Sequence, residues 1–349
     1  MPILPRLLSL ATAVPAHRLD QDELKQFGRS IFAARGDELT RLMPVYDNAG
    51  IRTRYSSRPL SWLAEEHGWR ERTDAYIDSA LTLLQQAAEE CLGKSGMTAR
   101  DIDGIVMVST TGIATPSLDA LLVNRMPFRP TVQRLPIFGF GCAGGVLGLA
   151  RAAALAKAAP GEIWMVLVVE LCCLTFRSSD KSKSNIIATA LFGDGAAAGL
   201  IASRDDGGPA LTAWGEHTWP DSLDVMGWRI EDDGLGVLFS RDIPALVRHQ
   251  LGQEVDTFLH RHSLARDNVD AWLFHPGGTK VLEALQDCLS LGPDALRHAR
   301  ATLRDYGNMS AATVLFVLAR ALAAGESGRM LLGALGPGFT AGFLMMETA

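Results

Sequence analysis

The 349-residue chain reads as an α/β protein built from two similar halves. Three observations lead there. Short apolar, β-branched runs alternate with Ala- and Leu-rich stretches, the pattern of helices packed on buried strands. Glycine-rich turns separate one kind of segment from the next. Finally, GCAGGVLGLARAAALAKAAPGEIWMVLVV is echoed by GNMSAATVLFVLARALAAGESGRMLLGAL. In both, a Gly, a polar residue and small residues lead into an Ala/Leu/Arg helix, a Gly turn and an apolar strand.

In chain order, Ile105–Ser109 reads as a buried strand followed by the turn-rich TTGIATPS. GFGCAGG then opens a helix over about Val146 to Ala158, and Gly161 ends it. Ile163–Leu171 is the next strand, and Ala196–Ala202, after FGDG, another. In the second half, Ala271–Phe274 is a short strand ending in HPGG, and Lys280–Leu289 has amphipathic helical spacing. YGNMSAA opens a helix over about Thr313 to Ala324. Met330–Leu335 and Gly342–Met346, joined through GPG, close the chain as strands. The repetition predicts that Cys142 and Asn308 hold equivalent places, each at a helix N-terminus of its own half. The segment Ser203–Pro220, with its DDGGP, is the expected boundary, giving halves of residues 1–205 and 206–349.

Composition excludes several classes. With 48% hydrophobic and 21% charged residues the chain can bury a sizeable core. The formal net charge is −6 and no basic stripe is visible, so a nucleic-acid partner is not expected. The longest apolar stretch, Ile163 to Phe176, is interrupted by Glu170 and falls short of the ~18 residues of a spanning helix. The N-terminal MPILPRLLSLATAVPAH imitates a signal peptide, but Pro5 and Arg6 cut its apolar part to a few residues. Five cysteines without framework spacing and without CxxC argue against a disulfide scaffold or a zinc site. A cytoplasmic protein with reduced thiols is expected, with no membrane insertion.

Cys142 stands between glycines ahead of a helix. A helix N-terminus favours anions, so its thiol is expected to have a depressed pKa and nucleophilic character; a buried structural Cys is the bland alternative. Cys172 and Cys173 end an apolar strand, where packing is expected. His260 and His262 lie in the charged LHRHSLARD and are expected to face solvent. His275 follows a buried strand and precedes Pro-Gly-Gly, on a strand-end loop of the kind that carries catalytic residues in open α/β sheets. Asn308 is either an N-cap or a functional amide, and Phe192 in ALFGDGAAAG would by itself be a core aromatic. The glycine motifs lack the GxxxxGK[ST] of a phosphate loop and the spacing of a dinucleotide site.

Together the motifs resemble the type III polyketide synthases, the chalcone-synthase-like enzymes. GCAGG is similar to the family's nucleophile turn, HPGG to its histidine motif and YGNMSAAT to its Asn motif. FGDGAAA and GALGPGFTAG resemble its gatekeeper and closing-loop motifs, in the family's order across nearly the whole chain. SLATAVPAHRLDQDEL is similar to its N-terminal strand. The resemblance implies a thiolase fold, with two duplicated α/β halves in αβαβα layers, acting as a homodimer on acyl-CoA and malonyl-CoA. It implies Cys142, His275 and Asn308 as the catalytic triad and Phe192 as a gatekeeper between a CoA tunnel and the cavity. The implied chemistry needs no metal or redox cofactor.

The resemblance also matches Thr110, Thr111, Thr115, Cys172, Thr175, Val237 and Ser310 to cavity-lining positions. Plant chalcone-forming members usually carry Thr, Met and Phe where this chain has Cys172, Thr115 and Val237. The smaller residues resemble the bacterial alkylpyrone and alkylresorcinol synthases, whose tunnel accepts a fatty acyl chain. The cationic CoA-contact segment matches poorly around Arg41 to Arg54, with Pro44 and Asn48 at expected basic positions; Arg41 is the candidate phosphate contact. The alternatives are a chalcone-like synthase with an aromatic starter, a ketoacyl-carrier-protein synthase III, whose usual HQAN is HPGG here, and an inactive thiolase-fold acyl-binding protein.

Overall fold

The computed structural model describes residues 3–205 and 207–348. Its strands are β1 (Pro5–Ala13), β2 (His17–Asp20), β3 (Thr53–Ser56), β4 (Gly104–Val108), β5 (Gln133–Ile137), β6 (Ile163–Leu171), β7 (Asp194–Ser203), β8 (Ala210–Thr218), β9 (Met226–Glu231), β10 (Gly234–Phe239), β11 (Ala271–Phe274), β12 (Arg329–Gly336) and β13 (Thr340–Glu347). Nine form one mixed sheet in the order β11-β12-β13-β8-β1-β7-β6-β4-β5, while β2 pairs with β3 and β9 with β10.

The sheet carries the duplication. β1 and β8 meet at a single residue pair, Arg6 with Ala210, so the nine strands fall into two half-sheets. Outward from that joint, β1-β7-β6-β4 runs antiparallel, antiparallel, parallel. β8-β13-β12-β11 repeats the sequence of directions. Only β5, added in parallel to β4 at the outer edge, has no counterpart.

Strand alternation explains why the apolar runs lack a polar face. In β4 and β6, Ile105, Met107, Met165, Leu167 and Val169 point into one core, shared with the long helix Trp69–Ser95. Val106, Val108, Val166 and Val168 point into the other. A strand buried on both faces reads as a continuous hydrophobic run. The helices Gly144–Ala158 and Thr313–Ala323 each touch strands of both half-sheets and form the central layer. Trp69–Ser95 covers one outside, against β1, β6 and β7. Gly252–Arg261 covers the other, its Phe258 lying against Phe343 of β13 and beside Gly215 of β8. These are αβαβα layers.

The expected boundary segment Ser203–Pro220 spans the step from one half-sheet to the other, and most of it is strand, because β8 occupies Ala210–Thr218 and pairs with β13 along its length. One expectation needs correction. Cys142 and Asn308 are not strictly equivalent. The central helices are each preceded by a 3₁₀ turn, Gly141–Ala143 and Ser310–Ala312. Their first residues, Gly141 at φ +46° and Ser310 at φ +47°, share a left-handed conformation. In that register Cys142 matches Ala311, and Asn308 lies three residues further upstream than the repetition suggests.

Candidate active site

The two 3₁₀ turns meet where the halves join. A Cβ on Gly145 would overlap the Ala311 carbonyl oxygen, so only glycine lets the central helices approach this closely here. Gly141 needs its glycine for another reason, its left-handed turn. That turn is anchored from below: the Gly141 N–H donates to Thr110 Oγ1 at 3.1 Å, and the Thr110 N–H donates to Glu170 Oε2 at 3.0 Å. Cys142, half-buried, follows at once, and its Sγ lies 3.5 Å from Ser310 Oγ of the opposite half.

Asn308 is held by main chain and side chain alike. It forms an isolated bridge with Phe192, its N–H donating to the Leu191 carbonyl at 2.9 Å while its carbonyl accepts from Gly193 N at 2.9 Å. Its Oδ1 accepts the Ser310 N–H at 2.8 Å, and Nδ2 donates to the Gly277 carbonyl at 3.3 Å. One N–H of the amide is thereby left over. His275 ends β11, its N–H donating to Gly333 of β12 at 2.8 Å. Both ring nitrogens of His275 are buried without a protein partner.

Cys142, His275 and Asn308, from three distant segments, line one cavity of about 780 Å³ including its mouth. Phe192, Cys172, Val237 and Ser310 line it too. The remaining wall is mostly apolar, with Met226, Trp228, Leu238 and Phe239 from the β9–β10 hairpin and Val281 and Leu285 from the helix Thr279–Leu289. The Phe192 ring leans on Trp228, centroids 6.2 Å apart.

Five candidate positions lie outside the cavity wall. Thr110 is behind the wall, occupied by its bond to Gly141. Thr175 donates its hydroxyl to the Cys172 carbonyl at 2.7 Å and faces a neighbouring cavity. Thr115 is exposed on the loop after β4, outside the cavity wall. Arg41 is exposed on the short helix Asp37–Leu42, also outside it. Thr111, another matched position, accepts the Leu171 N–H at 2.8 Å. Arg54, in the poorly matched segment, is buried and donates to the carbonyls of Thr189, Ala190 and Phe192. His260 and His262 face solvent.

The electrostatics reverse the expectation for the thiol. Burial pushes Cys142 up to about 12, against the lowering pull of the Ser310 hydroxyl. Burial likewise pushes His275 down to about 3. No countercharge compensates, and a short 3₁₀ turn supplies less field than a helix end, so both groups are neutral at pH 7. Glu170, read from the sequence only as a break in an apolar run, sits fully buried beneath the turn and is pushed up to about 8. A lone carboxylate in such a run was the available signal. The hairpin residues Met226 and Trp228 carried none, because a half-exposed strand pair resembles any surface hairpin. Among the described residues no cluster of His, Cys, Asp and Glu could hold a metal ion, and no helix is long and apolar enough to cross a membrane.

Comparison with known proteins gives this geometry its family. Residues 4–205 match the model for the N-terminal domain of chalcone and stilbene synthases, and residues 211–348 match that for the C-terminal domain. The chain belongs to the chalcone and stilbene synthase family. A Bacillus subtilis (strain 168) protein carrying a provisional chalcone synthase name is 39% identical, over 98% of each chain. A 1,3,6,8-tetrahydroxynaphthalene synthase of Streptomyces peucetius is 38% identical over 96% of this chain and 91% of that one. The crystal structure of the Streptomyces coelicolor A3(2) tetrahydroxynaphthalene synthase, a bacterial type III polyketide synthase, superposes with a TM-score of 0.92. It shares 30% identity and covers 99% of this chain and 100% of that chain. This chalcone and stilbene synthase family member is thus a type III polyketide synthase of the thiolase fold, an acyltransferase that condenses acyl-CoA with malonyl-CoA.

Proposed function

We propose that Cys142 accepts a medium- or long-chain fatty acyl group from acyl-CoA and that malonyl-CoA extends it, giving alkylpyrone- or alkylresorcinol-type products. One observation carries the reading: a thiol, an imidazole and an amide from three separated segments are gathered in a cavity that is otherwise apolar. The thiol proton passes to His275, whose nitrogens have no competing partner, and the thiolate attacks the starter thioester. The acyl–CoA bond breaks, and CoA leaves as its thiol with the proton from His275. Malonyl-CoA then loses CO2, and the enolate charge gathers on its thioester oxygen. The spare N–H of Asn308 and the His275 imidazole act as donors to that oxygen. The enolate carbon attacks the Cys142 thioester; the C–C bond forms, the C–S bond breaks, and Cys142 is free to reload.

The aliphatic starter rests on the wall. Cys172 and Val237 leave room where larger groups would close it, and each buried methylene contributes about 0.8 kcal/mol. Incubation with acyl-CoA starters of two to sixteen carbons and an aromatic starter, with malonyl-CoA and mass spectrometry of the products, tests the reading. Preference for the aromatic starter, or for malonyl-CoA alone, would overturn it. The malonyl-only arm is included because relatives bear the name tetrahydroxynaphthalene synthase, a product without an alkyl chain. Cytoplasmic location and a homodimer belong to the same proposal. For the dimer, β5 is an edge strand with an exposed face that carries exposed Leu135 and is followed by exposed Phe138. An unpaired edge beside exposed apolar side chains suits a second copy of the chain.

A further inference from the structure

Beneath the bridge that joins Phe192 to Asn308 lies a buried cation whose acceptors are all neutral. Arg54 of β3 is 1% exposed. Its Nη1 donates to the Thr189 and Phe192 carbonyls, both at 2.9 Å. Its Nη2 donates to the Ala190 carbonyl at 2.8 Å and to Gln21 Oε1. Burial lowers the guanidinium only to about 10, so the group stays charged at pH 7.

These carbonyls belong to the end of the helix Lys183–Leu191. The last carbonyls of a helix have no partner within it, and a cation there also meets the negative end of the dipole. Arg54 takes Thr189, Ala190 and Phe192, and the Asn308 N–H takes the Leu191 carbonyl that lies among them. One guanidinium and one bridge residue thus satisfy the whole helix end. The stem of Arg54 fits under both sides of the bridge as well. A Cβ on Gly193, just after Phe192, would lie 3.2 Å from Arg54 Cβ, and one on Gly307, just before Asn308, 3.5 Å. Arg54 is not part of the catalytic cavity wall, so it acts only through what it holds.

We propose that Arg54 is a positioning residue for decarboxylation: it fixes the helix end, the helix end fixes the Asn308 main chain through the bridge, and the spare amide N–H is thereby aimed at the malonyl thioester oxygen. The proposal rests on the role given to Asn308 above. Lysine cannot replace the planar fork, because a single ammonium does not span carbonyls spread over four residues. The bridge would then relax, and a shift of about 1 Å at a reacting centre costs about 10²-fold.

The test compares Arg54→Lys with the full-length wild type, and repeats the comparison in an Asn308→Ala background. CO2 release from malonyl-CoA, acylation of Cys142 by acyl-CoA, and hydrogen exchange at residues 191–193 and 307–309 are followed. Arg54→Lys is expected to lower kcat for CO2 release about 10- to 100-fold, with KM changed less than about twofold. Acylation of Cys142 is expected to continue, and exchange to quicken at the bridge but not in β6. In the Asn308→Ala background the substitution should cost nothing further, because the group it positions is gone. Gln21→Leu removes one acceptor of the guanidinium without touching the bridge, and guards against a misfolded Lys variant. It should move the same readouts in the same direction by a smaller factor. Equal losses in both backgrounds, acylation and CO2 release falling together, or unchanged exchange at the bridge would overturn the proposal. Quickened exchange at the bridge, with full CO2 release by Asn308→Ala, would overturn the role of Asn308 and support the hold of Arg54 on the bridge.

Discussion

Replacing Glu170 by Gln should change how stability depends on pH, and the structure gives the size. Burial raises this carboxyl from 4.5 to about 8, the amides of Thr110, Thr111 and Ala311 offsetting only part of the penalty. The folded chain therefore keeps a proton that the unfolded chain releases above pH 4.5. That contribution to stability is fully present at low pH and is lost as pH rises from 4.5 through 8. Integrated between pH 5 and pH 8, the loss is about 3 to 4 kcal/mol. His275 acts with the opposite sign. Lowered from 6.5 to about 3, it contributes fully above pH 6.5 and loses its contribution as pH falls toward 3. The two slopes cancel between about pH 4.5 and 6.5, and above that range Glu170 acts alone. Gln cannot titrate, so Glu170→Gln should gain on the wild type as pH rises. At about 2.1 cal/mol/K per residue, a loss of this size corresponds to a relative Tm gain of about 5 °C between pH 5 and 8. Differential scanning of both proteins in matched buffers measures it, and because only the change with pH counts, the altered hydrogen bonding of Gln drops out. A Tm difference that stays constant from pH 5 to pH 8 would refute the reasoning.

Cys142→Ala should abolish chain elongation, and iodoacetamide should label Cys142 in the wild type with acyl-CoA protecting; because the resting thiol is neutral, labelling should accelerate about tenfold per pH unit from pH 7 to 9. Asn308→Ala should lower CO2 release from malonyl-CoA about 10²- to 10³-fold, as loss of one oxyanion donor does, while acyl transfer to Cys142, followed by mass spectrometry, continues. Thr110→Val leaves the Gly141 N–H buried without its acceptor, which should lower unfolding stability by about 1–3 kcal/mol and slow Cys142 acylation in a stopped assay. Phe138→Glu should shift the protein from dimer to monomer in sedimentation velocity, whereas an unchanged dimer would place the interface away from β5.

The strands and central helices were legible because each is long, apolar and bounded by glycine. Ile163–Leu171 and Ala271–Phe274 stand where their patterns place them. Trp69–Ser95, the longest helix, escaped because neighbours bury it on several sides, leaving no single apolar stripe to read. β8 escaped because its alternation begins inside a Gly- and Asp-rich turn. The gathering of Cys142, His275 and Asn308 was legible only through the motifs, since no local pattern says that Cys142 shares a cavity with residues more than a hundred positions further along the chain. Thr115 shows the limit of matching by spacing: the order of motifs fixes the strand ends, but the loops between them turn their side chains freely. The thiol was misjudged for a further reason, that a helix start visible in sequence says nothing of how dry its surroundings are.

That dryness gives the proposed chemistry its order. A thiolate and an imidazolium together would be two charges in an apolar wall, which is why burial drives Cys142 and His275 toward their neutral forms. Proton transfer between them creates both charges at once, and a bound thioester that consumes the thiolate removes one immediately. A resting neutral pair thus protects the thiol until a carbonyl is present to receive it. The same surroundings act on malonyl-CoA. Its carboxylate has no cation waiting among the lining residues, whereas the enolate formed by losing CO2 meets the Asn308 amide and the His275 ring. The arrangement therefore favours the charge distribution of the transition state over that of the bound substrate, which is the condition for accelerating a step rather than merely binding its reactant. On this account a cation introduced into the cavity wall, as in Val237→Lys, would anchor the malonyl carboxylate, tighten its binding and slow its decarboxylation.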